Sequence, residues 1–187
     1  MYTARARGLK HVKRILWPQQ KLTAIFVYCT PSVVAKLMQC SLDVIKKQVS
    51  VIYSRPGAPN QDWHCDGGHE QDDAGWPDQG RQLPKAYAVC VFLPLIDFNE
   101  TVGYTDFWPG SHQHKGLLGF GPAAPMLGAS YPAICKAGDA VVYDYRLMHR
   151  GMQNVSVSTE RPMLQFLYTT WYHEATNYDG PSLKQAA

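Results

Sequence analysis

A mainly β architecture, a sandwich or jelly-roll barrel behind a short N-terminal helical region, is expected from three features of this 187-residue chain. Short runs rich in Val, Ile, Tyr, Phe and Trp recur between residues 48 and 172, separated by Gly, Pro, Asn and Asp. Helical periodicity is confined to the part before residue 47. Hydrophobic residues make up 45% and charged residues 18%, a composition that builds a packed core and not a disordered chain. The expected organisation is one domain over 1–187: a basic, partly helical front (1–47), a β-barrel core (48–172) and a tail (173–187).

The front holds the charge asymmetry. Residues 1–50 carry nine Lys+Arg and a single acid, Asp43, whereas residues 51–187 carry nine Lys+Arg and fourteen acids. The opening MYTARARGLKHVKR reads as a solvated basic helix face. It is acid-free like a targeting segment but poor in Ser, and no recognition motif accompanies it as a nucleic-acid arm would require. Thr30-Pro31 supplies a helix start, Thr as N-cap and Pro at the first helical position. Val33, Val34, Leu37 and Met38 then form one apolar face.

Beyond Cys40 the period changes. Val49, Val51 and Tyr53 alternate with other residues, which predicts a strand over 48–55. RPGAPNQ (55–61) is a loop. Residues 67–85, GGHEQDDAGWPDQGRQLPK, form a long polar loop and, with Trp76, a candidate lid. Strands are expected over 86–95, 104–108, 131–135, 139–146 and 163–171. No apolar run approaches the roughly 18 residues of a bilayer-spanning helix. The five cysteines are scattered without a C-x-x-C pair. That argues against a zinc cluster or disulfide framework and for reduced thiols in the cytoplasm, organelle targeting by the basic front being the alternative.

The stretch DWHCDGGH (62–69) concentrates the chemistry. On a strand, residues i and i+2 share a face, so His64 and Asp66 aim at one point while Cys65 turns away. An open metal site needs a third ligand, and His149, expected at the end of the strand in GDAVVYDYRLMHRG, is the candidate. Two His and one carboxylate on one side of a metal form the facial triad of non-haem Fe(II) oxygenases. Arg161 follows at the start of the last expected strand, from where its side chain enters the barrel beside the metal. A buried guanidinium requires an anion, and its planar fork suits a carboxylate. A divalent iron, Asp66, a dianionic keto acid and Arg161 together sum to neutrality, as a poorly solvated pocket demands.

Four motifs in order resemble the phytanoyl-CoA dioxygenase-type Fe(II)/2-oxoglutarate oxygenases, over about residues 48–172. They are IYSRPG (52–57) before WHCDG (63–67), VCVFLPLIDFNETVGYTDFWPGSHQ (89–113) ending in P-G-S-H, and AGDAVVYDYRLMHRGMQNVSVSTERPMLQFLY (137–168) with its H-x-G-x-x-N turn. The resemblance implies a double-stranded β-helix, the cupin-like jelly roll. It implies His64, Asp66 and His149 as iron ligands and Arg161 on the distal carboxylate of 2-oxoglutarate. Val51 and Phe92 would line the cosubstrate pocket, Phe92 replacing a more usual Trp. The implied reaction uses Fe(II), 2-oxoglutarate and O₂, supported by ascorbate, to hydroxylate a small organic or lipid-like substrate with release of succinate and CO₂. Asp66 argues against halogenation, for which related enzymes lack the carboxylate.

The departures are equally specific. The front is shorter than in family members. Gly151 stands where some members place a Ser that contacts 2-oxoglutarate. Thr105 and Asp106 stand where apolar residues are common, so either they face the pocket and read substrate or, the favoured reading, Asp106 faces solvent. His112 is expected as a turn histidine, and His69 and His114 at the surface. Tyr143, Tyr145, Tyr168 and Trp171 are candidates for an aromatic pocket. A non-catalytic barrel with a binding or regulatory role is the alternative function. A zinc hydrolase on the same ligands is the third reading, but it leaves Arg161 without a role. Small molecules are the expected partners, with no nucleic acid and no membrane span.

Overall fold

The structure, a computed structural model, describes residues 2–5, 31–67, 86–117 and 119–170. Among these residues eight strands dominate: β1 (Tyr2–Arg5), β2 (Lys46–Ser54), β3 (Ala88–Pro94), β4 (Thr105–Phe107), β5 (Tyr131–Ala133), β6 (Val141–Asp144), β7 (His149–Gly151) and β8 (Arg161–Thr169). They form a five-stranded sheet in the order β1-β2-β8-β3-β6 and a three-stranded sheet in the order β5-β4-β7. All pairings are antiparallel. This two-sheet jelly roll matches the expected fold. The expected lid 67–85 with Trp76 and His69 lies outside the described residues from 68 onward, as do Thr30, Trp171, Cys29 and the tail.

Two apolar layers follow from the alternation of the strands. Between the sheets lie Ile52, Cys90, Phe92, Tyr143, Met163 and Leu167 from the large sheet, with Phe107 and Ala133 from the small one. On the outer face of the large sheet lie Val51, Val89, Val91, Leu93, Leu164 and Phe166. A helix over residues 31–38, α1, covers this outer face with Val34 and Met38. Its apolar stripe is narrower than the sequence suggested: Val34 and Met38 pack on the sheet, whereas Val33 and Leu37 are exposed.

Three expectations are corrected. The first residues run as strand β1, paired with β2 from Tyr2↔Tyr53 to Arg5↔Ser50, and not as the start of a basic helix. The open edge of β2 offers unpaired N–H and C=O groups that a strand satisfies and a helix does not. The strand over 139–146 does not run on to His149. Asp144 accepts hydrogen bonds from the Arg146 main chain and guanidinium through Oδ1, and Leu147 N–H donates to the Asp144 carbonyl at 2.8 Å. This side-chain-stabilised turn carries the chain from the large sheet to the small one, where His149 opens β7. His64 and Asp66 do not share a strand either: His64 makes a single bridge to His149, and Asp66 lies in the bend after it.

The four described cysteines, Cys40, Cys65, Cys90 and Cys135, are free thiols. Among the described residues no helix is long and apolar enough to cross a membrane. Leu167 is almost fully enclosed between the sheets, whereas Val157 is 97% exposed. Leu167→Ala is expected to lower unfolding free energy by about 2–5 kcal/mol, read as the urea midpoint by circular dichroism, and Val157→Ala to stay within about 0.5 kcal/mol of the parent.

Candidate metal centre

The site begins with main-chain geometry. His64 and His149 exchange both backbone hydrogen bonds, at 3.0 and 2.8 Å, so they form a hydrogen-bonded antiparallel pair. Residues directly opposite in such a pair project to the same face, and the two imidazoles lie with centroids 4.6 Å apart. Each ring is then oriented by its own chain. His64 Nδ1–H donates to the Asp62 carbonyl at 2.8 Å, and His149 Nδ1–H donates to the Leu147 carbonyl at 2.9 Å. A carbonyl only accepts, so the proton of each neutral ring sits on Nδ1 and the Nε2 lone pair is free.

Asp66 closes the cluster. Its Oδ1 is 3.7 Å from His64 Nε2 and its Oδ2 is 3.6 Å from His149 Nε2. One ligand atom from each of the three residues lies within 4.8 Å of the others. Gly67 makes the bend possible: its N–H donates to the Tyr145 carbonyl at 3.0 Å, and an added Cβ would run into the rings of Tyr87 and Tyr145. Burial pushes His149 below the usual histidine range, the Asp66 carboxylate opposing this and His64 reinforcing it. His149 is therefore neutral at physiological pH. The donor set, two imidazole Nε2 atoms and one carboxylate, fits a divalent first-row metal.

Arg161 shares the inward face of β8 with Met163 and Leu167. Its Nη1 donates to the carbonyls of Met152 at 3.1 Å and Tyr104 at 3.3 Å, and its guanidinium lies over the Phe98 ring. It is 6% exposed, and among the described residues no carboxylate pairs with it. Burial lowers its pKa to about 10, so it remains a cation. Gly103, at φ +84°, leaves the space that Arg161 Nη1 and the carbonyls of Met152 and Gln153 fill.

The remaining candidates divide. Phe92 lies on the site face, its ring 5.0 Å from Tyr143 and 6.3 Å from His149. Val51 does not: strand alternation turns it to the opposite face, against Val34 and Met38. Of the aromatic candidates, Tyr143 donates its hydroxyl to Asp66 Oδ2 at 3.3 Å, Tyr145 lies beneath Gly67, and Tyr168 packs on the outer layer. The Gly151 N–H donates to Gln61 Oε1 at 2.8 Å, and a Cβ there would meet that amide, so a larger residue would have to displace the Gln61 side chain. Asp106 faces neither pocket nor solvent. It is buried on the far side of β4 from Phe107, and its Oδ2 accepts from Arg150 Nη2 at 3.3 Å. Burial raises its carboxyl pKa, and Arg150 opposes the rise. His112 sits in the turn Ser111–Gln113, as expected, and His114 is half-buried, not at the surface.

Three supports escaped the sequence reading. Gly103 seats the guanidinium. Ser111 Oγ accepts the Met148 N–H at 2.8 Å, holding the residue before His149. Asn154, fully buried, donates to the Ser54 and Thr159 carbonyls and accepts from Ser156, tying the β7–β8 loop to the end of β2. The P-G-S-H and H-x-G-x-x-N motifs contain two of these residues and were the available signal.

Gly103→Ala is expected to destabilise the protein by more than about 1 kcal/mol, read as a lower melting temperature, because it combines positive φ with a clash at Arg161. A pH effect follows from His149. An unfolded histidine takes up a proton near pKa ~6.5, and the buried one only at lower pH. The metal-free native state therefore binds fewer protons there, and its stability falls as pH drops below that value. The urea midpoint should decline from pH 7 to 5, and His149→Gln should flatten that decline.

Similar proteins carry this arrangement further. The family model for phytanoyl-CoA dioxygenase (PhyH) matches residues 4–163. Dioxygenase hkm4 of Aspergillus hancockii is 36% identical over 106 residues, which cover 56% of this chain and 32% of that protein. The matched region thus spans about a third of that relative's length. Among solved structures, HygX from Streptomyces hygroscopicus, with nickel and 2-oxoglutarate bound, aligns at TM-score 0.58 and 14% identity. That alignment covers 83% of this chain and 69% of HygX. EvdO2 from Micromonospora carbonacea var. aurantiaca, complexed with 2-oxoglutarate, aligns at TM-score 0.56 and 14% identity, over 79% of this chain and 61% of EvdO2. At such identities the structures speak for the jelly-roll fold, while the sequence match covers most of the chain. The chain belongs to the phytanoyl-CoA dioxygenase (PhyH) family.

Proposed function

We propose that the chain is an Fe(II)- and 2-oxoglutarate-dependent dioxygenase that hydroxylates a C–H bond of a small organic or lipid-like substrate. The observation that carries this reading is the pairing of two charge patterns on one core. His64, Asp66 and His149 converge on one point, and Arg161 is a buried cation without an acidic partner among the described residues. The first pattern needs a cation and the second an anion. The family, the dioxygenase name of the curated relative and the 2-oxoglutarate bound by HygX and EvdO2 support the same assignment.

In this reading His64 and His149 hold iron through Nε2 and Asp66 through a carboxylate oxygen. When bound, the iron with 2-oxoglutarate and O₂ supplies the oxidation, one oxygen atom going to the substrate and the other to succinate as CO₂ leaves. Everything else falls to the chain. The Nδ1 hydrogen bonds place the proton of each neutral ring on Nδ1 and aim Nε2 at the centre. Arg161 takes the far carboxylate of 2-oxoglutarate, and the carbonyls of Tyr104 and Met152 fix its fork. Phe92, Phe107 and Tyr143 surround His149 with rings, excluding water from one side of the centre and strengthening its electrostatics. The His64 side chain is 37% exposed, so substrate reaches the centre from its side. Ascorbate would serve to keep the iron reduced.

Anaerobic addition of Fe(II) and 2-oxoglutarate should produce a weak visible charge-transfer band that a chelator removes. Asp66→Ala and His149→Ala should abolish it. Arg161→Ala should weaken 2-oxoglutarate binding by about 2–5 kcal/mol, the loss typical of one partner of a buried charge pair. No band and no succinate from the intact protein would refute the oxygenase assignment.

A further inference from the structure

His64 and His149 brace one another through paired backbone bonds, whereas Asp66 lies in a bend off any strand. The terminal torsion of an aspartate is soft, and a carboxylate can offer one oxygen or both to a cation. A side chain from the opposite sheet meets it there. Tyr143, on β6 of the large sheet and opposite Cys90 of β3, donates its hydroxyl to Asp66 Oδ2 at 3.3 Å. The ring has no freedom to leave. Its centroid lies 5.0 Å from those of both Phe92 and Phe107 and 5.2 Å from that of His149, and the residue is 5% exposed.

We propose that Tyr143 is a positioning residue for the metal-binding carboxylate: its hydroxyl holds Oδ2, so that Asp66 presents Oδ1 alone to the metal. The proposal rests on the iron site proposed above. An O–H donor and a cation compete for the same lone pairs of a carboxylate oxygen. The consequence is a count of positions. Two imidazoles and one carboxylate oxygen leave three sites of an octahedral metal open; a carboxylate binding through both oxygens leaves two. A chelating keto acid occupies two, so the one-oxygen mode decides whether a position remains for the oxidant. Outer hydrogen-bond partners of metal ligands commonly govern affinity by about 10–100-fold.

Tyr143→Phe keeps the ring and removes the donor. Fe(II) affinity is measured anaerobically by chelator competition, the visible band is recorded with 2-oxoglutarate, and the metal-free protein is melted as a folding control. The expected result is Fe(II) binding weakened about tenfold with a displaced band, in a variant whose metal-free form still melts cooperatively. A variant that matches wild type in both affinity and band position overturns the positioning role while the iron reading stands. Wild type that binds no Fe(II) overturns both. If Tyr143→Phe does not fold, Tyr143→3-fluorotyrosine decides, because it preserves the shape and carries a more acidic hydroxyl. A displaced band supports the proposal, and an unmoved one overturns it.

Discussion

Two main-chain hydrogen bonds, exchanged between His64 and His149, are the constraint on which the candidate centre depends. Each contributes only about 0.5–1.5 kcal/mol net, but their importance is geometric. They bring two residues from remote parts of the chain directly opposite one another, and the pleat then sends both imidazoles to one face. The carbonyls of Asp62 and Leu147, each two residues before its histidine, select the tautomer. Orientation and tautomer of both imidazoles are thus set by backbone atoms, which side-chain motion does not disturb.

The second constraint is electrostatic. Among the described residues three arginines are wholly or largely buried, and two of them have acids: Arg146 pairs with Asp144 at 2.9 Å and Arg150 with Asp106 at 3.3 Å. Arg161 has carbonyls and an aromatic face but no acid among the described residues. Carbonyl oxygens offset part of its desolvation and none of its charge. Gly103 and Asn154 hold the space around the guanidinium and the loop leading to it, so the structure maintains a buried cation that a bound carboxylate would neutralise.

The site also depends on the sandwich itself. His149 belongs to the small sheet, while Arg161 and Tyr143 belong to the large one. The apolar layer that joins the sheets through Phe92, Phe107 and Met163 therefore sets the spacing between the triad and the guanidinium. Stability and chemistry share this layer. Asp106 illustrates the other face of the small sheet. Its partner Arg150 stacks on Trp63, and Trp63 packs against Gly121, so a polar pair serves there as cover and not as part of the centre.

Much of this was legible from residue order. Alternating β-formers and turn residues determined the strands, because both are local properties of the chain. Spacing and chemical type singled out His64, Asp66, His149 and Arg161, since few residue types bind a metal or a carboxylate. The sequence could not say which face of β2 Val51 occupies, because β2 is covered on both sides and its apolar residues carry no label for inside or outside. Nor could it show that Asp144 breaks the chain before His149, that Asp106 is buried by Arg150, or that Tyr143 reaches Asp66. Those outcomes depend on partners distant in sequence, which meet only when the two sheets close on each other. Local patterns thus determined the elements and the reactive residues, and tertiary packing decided which of them face one another.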